Sequence, residues 1–421
     1  MGETPILAGL VVSLLVTIVT LKNVENGFIL IGVMYPFGRY AAVGDMRPVY
    51  IVSVLVIGIV ISRYIFQNKG RFPRYIIVYI STIASALVYG WLAGQGANLI
   101  HLLKQIGSAL LVVSAFLYFD SQAKIERWIW AYAMSTSVVS CIILTLMAIF
   151  PHNTDIFMGV SSEGVRLQGL MSNPNKFASG QTLAVFALLY MAYKSELLKR
   201  GFYCVLSIIL IVTIFLSQSR GAVTGLFVGG IVTIVIIIWR AEISRIQILG
   251  FVSVLLFVAA IFLNLPKSVG GNRLARLSEA SSTTIYDINM DKIEEQRLDL
   301  FAHSMGLALK NPFGIGFVTS REIREKMSFG RKKINKLPHS HISNYFIRYG
   351  LVYGAIMNLL WLWVPTSVLY KSFRENKTVE YIAIFMMAGS IAYIINSLAH
   401  SYIDWVQWWL YWALTYKSGK I

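Results

Sequence analysis

Four polar residues stand out, three of them within or beside a long apolar run of the chain and one in a polar stretch. Arg220 lies in LSQSRGAVTG, between VLSIILIVTIF and LFVGGIVTIVIIIW, and both flanking runs are apolar enough to lie in a bilayer. A charge at the membrane centre costs about 3 to more than 10 kcal/mol, so one is rarely retained without a function. Arg297 lies within a polar stretch with helical features, and His339 and His341 lie in PHSH, directly before another apolar run.

Arginine and histidine together could bind a diphosphate and remove a proton. Arginine is always charged and grips phosphate oxygens with a bidentate fork. Histidine titrates near neutral pH, so it can accept a proton from a hydroxyl group. The segment GVRLQGLMSNPN adds Arg166 and Asn175 before a further apolar run. These features together predict a site for the headgroup of a lipid diphosphate.

The sequence offers no obvious metal site. No group of Asp, Glu, His or Cys residues has the spacing of metal ligands, and no DxD-like pair is present. We therefore expect neither a metal nor another cofactor. The arginines would then neutralise the leaving group, as a divalent cation does in other enzymes.

Each feature also has an ordinary structural explanation. Arg220 could reach the lipid headgroups from a helix end, and Arg297 could pair with Glu294 or with a lipid phosphate. A single histidine beside a membrane is more often interfacial than catalytic, and NPN by itself is a turn and a helix start. The functional interpretation therefore depends on these features occurring together.

The composition identifies an integral membrane protein. The chain has 421 residues, of which 56% are hydrophobic and only 14% are charged, whereas a soluble domain carries about 25% charged residues. The net charge of +17 fits either basic cytoplasmic loops or an anionic ligand. No basic run with interleaved aromatic residues indicates a nucleic-acid partner. Cys141 and Cys204 lie in apolar runs and are expected to be small core residues.

Apolar windows near or above 18 residues recur along the chain and predict an all-α polytopic fold. About twelve to thirteen transmembrane helices are expected. The first is read as a retained segment, because it lacks the basic start and cleavage site of a signal peptide. The windows lie near 5–21, 27–43, 50–66, 75–95, 101–119, 128–150, 176–193, 202–218, 221–239, 246–265, 344–370, 379–398 and 403–416.

The charges of the short loops predict the orientation. Basic loops are retained on the cytoplasmic side, and the basic ones here are 67–74, 194–200, 239–245 and 371–377. Alternation then places 150–175, the turn Ser217–Gly221 and the long polar stretch 266–342 outside, all on one side. We therefore expect three regions: N-terminal transmembrane helices over 1–265, an external helical loop domain over 266–342, and C-terminal transmembrane helices over 343–421.

Three motifs, in order, resemble the O-antigen ligase and O-antigen polymerase superfamily. LSQSRGAVTGL resembles its Ser/Thr-x-Ser/Thr-Arg-Gly/Ala element, and EEQRLDLFAHSMGLALKNPFGIGF resembles the element that contains a second arginine and ends in Pro-x-Gly-x-Gly. PHSHISNYFIRYGLVYG resembles the element with His-Asn followed by Gly-x-x-Gly. The resemblance extends over about residues 160 to 365.

The resemblance implies a metal-independent, multi-helix glycosyltransferase of the bacterial inner membrane, with its site on the periplasmic face. Its donor would be an undecaprenyl-diphosphate-linked glycan, and its acceptor a glycan or the core sugars of lipid A. Arg220 and Arg297 would hold the diphosphate, and a histidine would act as base on the acceptor hydroxyl. Arg166 is a further candidate for diphosphate binding, and membrane lipids would surround the protein.

The assignment of the base stays divided between two histidines. The family element reads His-Asn, but here the histidines are followed by Ser340 and Ile342. Counting back from Gly350 favours His339, whereas a His-x-His spacing favours His341. Asn344 could replace the asparagine of the family element.

Other functions share some of these sequence features with a glycosyltransferase. A ligase and a polymerase need the same chemical groups, so the sequence does not distinguish them. A transporter or flippase of a lipid-linked oligosaccharide would share the size and the basic site, but it should show internal repeats and broken helices at the midplane. The two halves of the chain show no convincing repeat. A receptor or scaffold would give no reason for arginines and histidines to cluster.

Overall fold

The protein is an all-α polytopic membrane protein, as the apolar windows predict. The computed structural model describes residues 14–37, 48–68, 71–93, 99–150, 157–161, 164–171, 173–240, 301–302, 304–316, 340–374, 379–398 and 406–420. Within these residues there are 13 helices, and seven of them are long and apolar enough to cross a membrane. The predicted span 246–265 and most of the predicted external domain lie outside the described residues.

The connections between helices that the structure describes throughout are short, namely 119–121, 195–196 and 217–219. The helices are α1 (Val24–Val33), α2 (Pro48–Gln67), α3 (Arg74–Ala93), α4 (Leu99–Tyr118), α5 (Gln122–Ile149), α6 (Pro174–Lys194), α7 (Leu197–Leu216), α8 (Arg220–Trp239), α9 (His341–Arg374), α10 (Tyr381–Leu398) and α11 (Val406–Ser418). An antiparallel hairpin of β1 (Met158–Ser161) and β2 (Gly164–Leu167) lies between α5 and α6. Further helical residues lie at 14–22, 301–302 and 304–310.

Helix α6 lies in the interior and packs against α5, α7 and α10. Every residue from Phe177 to Leu188 is buried. Its polar side chains have partners there, since the Gln181 amide donates to Ser140 Oγ at 3.0 Å and Thr182 Oγ1 donates to the Ala178 carbonyl at 2.9 Å. Satisfied polar groups of this kind can be buried at little cost. The interior position explains why α6 can be less apolar than the lipid-facing helices.

Small residues bring α8 and α10 into close contact. A Cβ atom on Gly225 would lie only 2.2 Å from the carbonyl oxygen of Ala392, so no larger residue fits at this point. Glycines at four-residue spacing allow two helix backbones to approach in a membrane, where there is no hydrophobic force to press helices together. The contacting stripe of α8 consists of Gly221, Gly225 and Gly229. The facing stripe of α10 consists of Ala388, Ala392 and Asn396.

The two ends of the helix bundle differ in charge. At one end, here called the Glu126 end, an ion pair joins the start of α5 to the end of α6. Lys194 Nζ lies 2.7 Å from Glu126 Oε1. Arg127 pairs with Glu25 of α1 at 2.7 Å, and Arg240 donates to the Val379 carbonyl at 2.8 Å. The described parts of the predicted cytoplasmic loops 194–200, 239–245 and 371–377 lie at this end.

Helix α9 is not the single span that the sequence predicts over 344–370. The backbone at Gly350 is non-helical, with φ 72° and ψ −175°, and it divides α9 into α9a (341–349) and α9b (351–374). The rings of His341 and Trp361 stack with centroids 3.8 Å apart, whereas residues 20 positions apart in a straight helix are separated by about 30 Å. The chain therefore reverses at Gly350, and α9a folds back along α9b.

The NPFGIG segment (311–316) fixes this reversal. The backbone N–H of Ile315 donates to the carbonyl of Ile347 at 2.8 Å, and that of Leu351 donates to the carbonyl of Pro312 at 2.8 Å. A Cβ atom on Gly350 would lie 2.3 Å from the Pro312 oxygen, so the contact requires glycine. NPFGIG directly follows the helical residues 304–310, and in the fold it is also the brace of the α9 hairpin.

The second predicted window, 27–43, is interrupted in the sequence by Pro36 and Arg39. Helix α1 covers only ten residues, Val24–Val33, and a short 3-10 turn follows it over Tyr35–Phe37. Pro36 lies within that turn and lacks the N–H that a continuing helix needs. The interruption at Pro36 that the sequence predicts is therefore present in the described part of this window.

Candidate functional site

The candidate site lies at the end of the bundle opposite the Glu126 end, where α6, α8 and α9b begin and α7 and α10 end. We call it the Arg220 end. Asn396, near the end of α10, joins these elements. Its amide donates to Ser179 Oγ on α6, and its Oδ1 accepts a hydrogen bond from Ser219 Oγ at 3.4 Å. A Cβ atom on Gly221 would lie 2.4 Å from Asn396 Oδ1 and 3.0 Å from Asn396 Cα, so glycine lets α8 approach α10 closely directly after Arg220.

Arg220 is the first residue of α8, and its side chain is exposed. The first intrahelical hydrogen bond of this helix is donated by Val223 to the Ser219 carbonyl, at 3.0 Å. The N–H groups of the first turn therefore have no intrahelical acceptor, and the helix dipole places partial positive charge beside the guanidinium. A helix N-terminus beside an arginine favours an anion.

Arg166 is buried and holds the turn that leads to Arg220. Its Nε donates to the Ser217 carbonyl at 2.9 Å, and its Nη2 donates to the Gln218 carbonyl at 3.1 Å. Nη2 also donates to Asn175 Oδ1 at 2.8 Å. The sequence predicts Arg166 as a binder of diphosphate, and in the structure these atoms bind the protein itself.

The β-hairpin is what brings Arg166 to this turn. Arg166 lies on β2 and pairs with Gly159 on β1, and the hairpin packs beside α7. Gln218 has φ 53°, which is uncommon for a residue with a side chain. The hydrogen bonds from Arg166 to the carbonyls of Ser217 and Gln218 stabilise this left-handed turn. Arg166 and Asn175 therefore shape the entrance to α8.

His341 is the first residue of α9 and is fully buried. Its ring stacks on Trp361 at 3.8 Å with an interplanar angle of 4°, and Tyr345 contacts it edge-on at 4.7 Å. Trp361 in turn contacts Trp408 at 5.2 Å. His341 is thus part of an aromatic cluster between α9 and α11. His339 and Arg297, the other two principal candidates, lie outside the described residues.

Asn344, the possible replacement for the family asparagine, lies one turn after the start of α9a. Its Nδ2 donates to the Ser340 carbonyl at 3.0 Å. That hydrogen bond holds Ser340, which directly precedes α9, against the first turn of the helix. Asn344 therefore helps to fix the direction from which the PHSH segment enters α9a.

Arg348 is a site candidate that the sequence reading missed. Its side chain is 8% exposed, and its Nε and Nη1 atoms are buried without a hydrogen-bond partner. It lies seven residues after His341 on α9a, so the two side chains project from the same side of that helix. A signal was present in the sequence, since Arg348 is the one charged residue between His341 and Lys371. Its burial could not be read from the sequence.

The charges of the Arg220 end are not balanced by described carboxylates. Glu25, Asp120 and Glu126 pair with cations at the Glu126 end, and Glu196 and Glu380 directly precede α7 and α10 there. No other carboxylate occurs in the described part of the chain. Cations do occur at the Arg220 end, namely Arg166, Lys176, Arg220, Lys310 and Arg348. The described part of this end is therefore basic.

The structure thus brings Arg166, Asn175 and Arg220 together at one turn and places His341 on the hairpin α9. No three His, Cys, Asp or Glu residues in the described ranges are arranged to hold a metal ion.

Comparison with known proteins gives one family. Residues 205–359 match the model of the O-antigen ligase family. The matched range contains Arg220, Arg297, both candidate histidines and Arg348, whereas Arg166 precedes it. No curated protein matches the chain. The family match confirms the resemblance that the three motifs predict and supports a membrane enzyme of the O-antigen ligase or polymerase type.

Proposed function

We propose that the protein transfers a glycan from undecaprenyl diphosphate to a hydroxyl group of an acceptor sugar. The observation that carries this proposal is the Arg220 end, where an exposed arginine starts a helix whose first-turn N–H groups have no intrahelical acceptor. A lipid diphosphate would bring its negative charge to this helix start at the membrane surface. The O-antigen ligase family match supports the same substrate class.

In this proposal Arg220 and Arg297 bind the diphosphate. The fork of Arg220 takes one phosphate group together with the N–H groups of the first turn of α8. Arg166 acts as a positioning residue, because its hydrogen bonds to the Ser217 and Gln218 carbonyls fix the turn before Arg220. As the bond from sugar to phosphate breaks, these groups stabilise the negative charge that develops on the leaving diphosphate.

The acceptor hydroxyl would attack the anomeric carbon of the donor sugar in a single displacement. A histidine takes the hydroxyl proton, a new glycosidic bond forms, and undecaprenyl diphosphate leaves with the bonding electrons. His339 is the preferred base, since the ring of His341 is fully buried and stacked on Trp361. Attack from the face opposite the leaving group inverts the anomeric configuration.

The site would face the periplasm, in the bacterial inner membrane. The basic loops of the Glu126 end would then be cytoplasmic, as the positive-inside rule expects. A ligase acceptor would be a sugar of the lipid A core, and a polymerase acceptor would be a second lipid-linked glycan. Both use the groups described above, so the acceptor distinguishes them.

The test is transfer by purified protein in vesicles that contain an undecaprenyl-diphosphate-linked glycan and either type of acceptor. We expect a product of inverted configuration, formed in the presence of excess EDTA. Loss of activity with chelator and recovery with magnesium, or a linkage with retained configuration, would contradict this mechanism. Movement of the donor between leaflets without any product would instead indicate a flippase.

A further inference from the structure

Arg348 carries a buried charge for which the described part of the protein provides no counter-charge. The side chain is 8% exposed, and neither Nε nor Nη1 has a hydrogen-bond acceptor among the described residues. Buried charges are normally paired, because removing an ion from water is strongly unfavourable. An arginine that served only to stabilise the fold would be expected to bind carbonyl or carboxylate groups, as Arg166 does nearby.

The backbone around Arg348 is held rigidly. Gly316 N–H donates to the Arg348 carbonyl at 3.1 Å, and Ile315 N–H donates to the Ile347 carbonyl at 2.8 Å. Gly314 has φ 80°, and a Cβ atom there would lie 2.5 Å from the Arg348 oxygen. The NPFGIG segment therefore fixes the base of this side chain. The starting point and direction of the Arg348 side chain are therefore set by the backbone contacts of NPFGIG.

The location places Arg348 at the Arg220 end of the membrane. Helix α9b starts at Gly350 and ends at the Glu126 end, where Lys371 donates to the Gly419 carbonyl at 3.1 Å. Arg348 is two residues before Gly350, so it lies where α9a reaches the Arg220 end. On α9a it shares one helix stripe with His341 and Asn344, at positions i, i+3 and i+7.

From this geometry we propose that Arg348 is a further substrate-binding residue, which takes a phosphate oxygen of the lipid-linked donor. The inference rests on the proposed function, because it assumes a lipid diphosphate at the Arg220 end. Nε–H and Nη1–H point to different sides of the guanidinium, so each can donate a separate charge-assisted hydrogen bond to an acceptor oxygen. Arg348 would hold the donor from the hairpin that carries the histidine segment, whereas Arg220 holds it from α8.

The proposal has a consequence that a structural role would not have. If Arg348 awaits a ligand, replacing it with the apolar Arg348→Met removes an unpaired buried charge, so the empty protein should become equally or more stable. The same variant should lose the stabilisation that the ligand provides. A structural arginine would behave in the opposite way, because its removal would leave partners without hydrogen bonds.

The experiment measures the thermal unfolding temperature of purified protein in phosphatidylcholine nanodiscs. Undecaprenyl diphosphate is added to one sample, undecaprenol to a second and phosphatidylglycerol to a third. We expect only undecaprenyl diphosphate to raise the unfolding temperature of the wild type, and its apparent affinity to fall about tenfold or more in Arg348→Met. The control is Arg374→Met, an exposed arginine at the Glu126 end, which should keep the wild-type response.

Each result has a defined meaning. An equal response of Arg348→Met and wild type to undecaprenyl diphosphate, or a large fall in the unfolding temperature of the empty variant, overturns the assignment of Arg348 and leaves the proposed function intact. A wild-type response to phosphatidylglycerol as well as to undecaprenyl diphosphate, with both responses lost in Arg348→Met, means that Arg348 binds any anionic lipid headgroup, which also overturns it. A wild type that ignores undecaprenyl diphosphate refutes the proposed donor itself.

Discussion

Replacing Gly350 with alanine should open the α9 hairpin and abolish glycan transfer. Gly350 has φ 72° and ψ −175°, a region that is essentially restricted to glycine and costs other residues about 1–3 kcal/mol. The new Cβ would also lie 2.3 Å from the Pro312 oxygen and 2.6 Å from the carbonyl carbon of Phe313. These are backbone atoms, so they cannot turn aside as a flexible side chain could.

The contact with NPFGIG must therefore loosen. Three backbone hydrogen bonds join 312–316 to 347–351, at 2.8, 3.1 and 2.8 Å, and each contributes about 0.5–1.5 kcal/mol net. The strain and these bonds together give a local loss on the order of 3–7 kcal/mol. Such a loss is large enough to release α9a while the packed helices α6, α8 and α10 stay folded.

Hydrogen–deuterium exchange with mass spectrometry would measure this release, in parallel with glycan transfer in vesicles. We expect faster exchange in 341–349 and 311–316, unchanged exchange in α6, and loss of transfer. Gly230→Ala is the matched control, because a Cβ at Gly230 meets no atom within 4 Å. Full protection of α9a together with wild-type transfer in Gly350→Ala would refute the role given to the hairpin.

Three further predictions concern the site and its orientation. Arg220→Lys should be nearly as damaging as Arg220→Ala, with a loss of about 2–4 kcal/mol of transition-state stabilisation, because lysine lacks the bidentate fork of arginine. Full glycan transfer by the lysine variant in the vesicle assay would instead favour an arginine that only reaches the lipid headgroups. His339→Ala should abolish glycan transfer and leave donor binding intact, whereas His341→Phe should keep both the ring packing and the transfer activity. Full activity of His339→Ala would show that His339 is not the base. In a variant without native cysteines, Phe313→Cys should react with an impermeant maleimide from the periplasmic side, and Lys199→Cys only after permeabilisation. The reverse labelling would place the site in the wrong compartment.

The sequence by itself determined the class of the protein and the order of its motifs. Apolar windows of membrane length indicate helices because every backbone group in lipid must find a partner within its own helix. That argument is local, so it succeeded for α3, α8 and α10, whose bounds it placed within a few residues. Arg220 was also found locally, as a charge between two apolar runs.

Contacts between distant parts of the chain were not available from the sequence. Arg166 looked like a ligand for phosphate, but its hydrogen bonds reach the carbonyls of Ser217 and Gln218, about fifty residues further along the chain. The β-hairpin that carries Arg166 is too short to leave a clear strand pattern. Only the packing of β2 against α7 decides where its guanidinium lies.

The α9 hairpin shows the same limit most clearly. Residues 344–370 have the apolar length of one span, and a single glycine in a membrane helix is common, so hydropathy predicts a straight helix. The reversal at Gly350 exists because Pro312 and Phe313 occupy the space beside it. This distant contact, and not the local pattern, stacks His341 on Trp361 and buries Arg348 at the Arg220 end. The sequence therefore supplies the chemical groups, while tertiary packing decides which of them are held by the protein and which are left for a ligand.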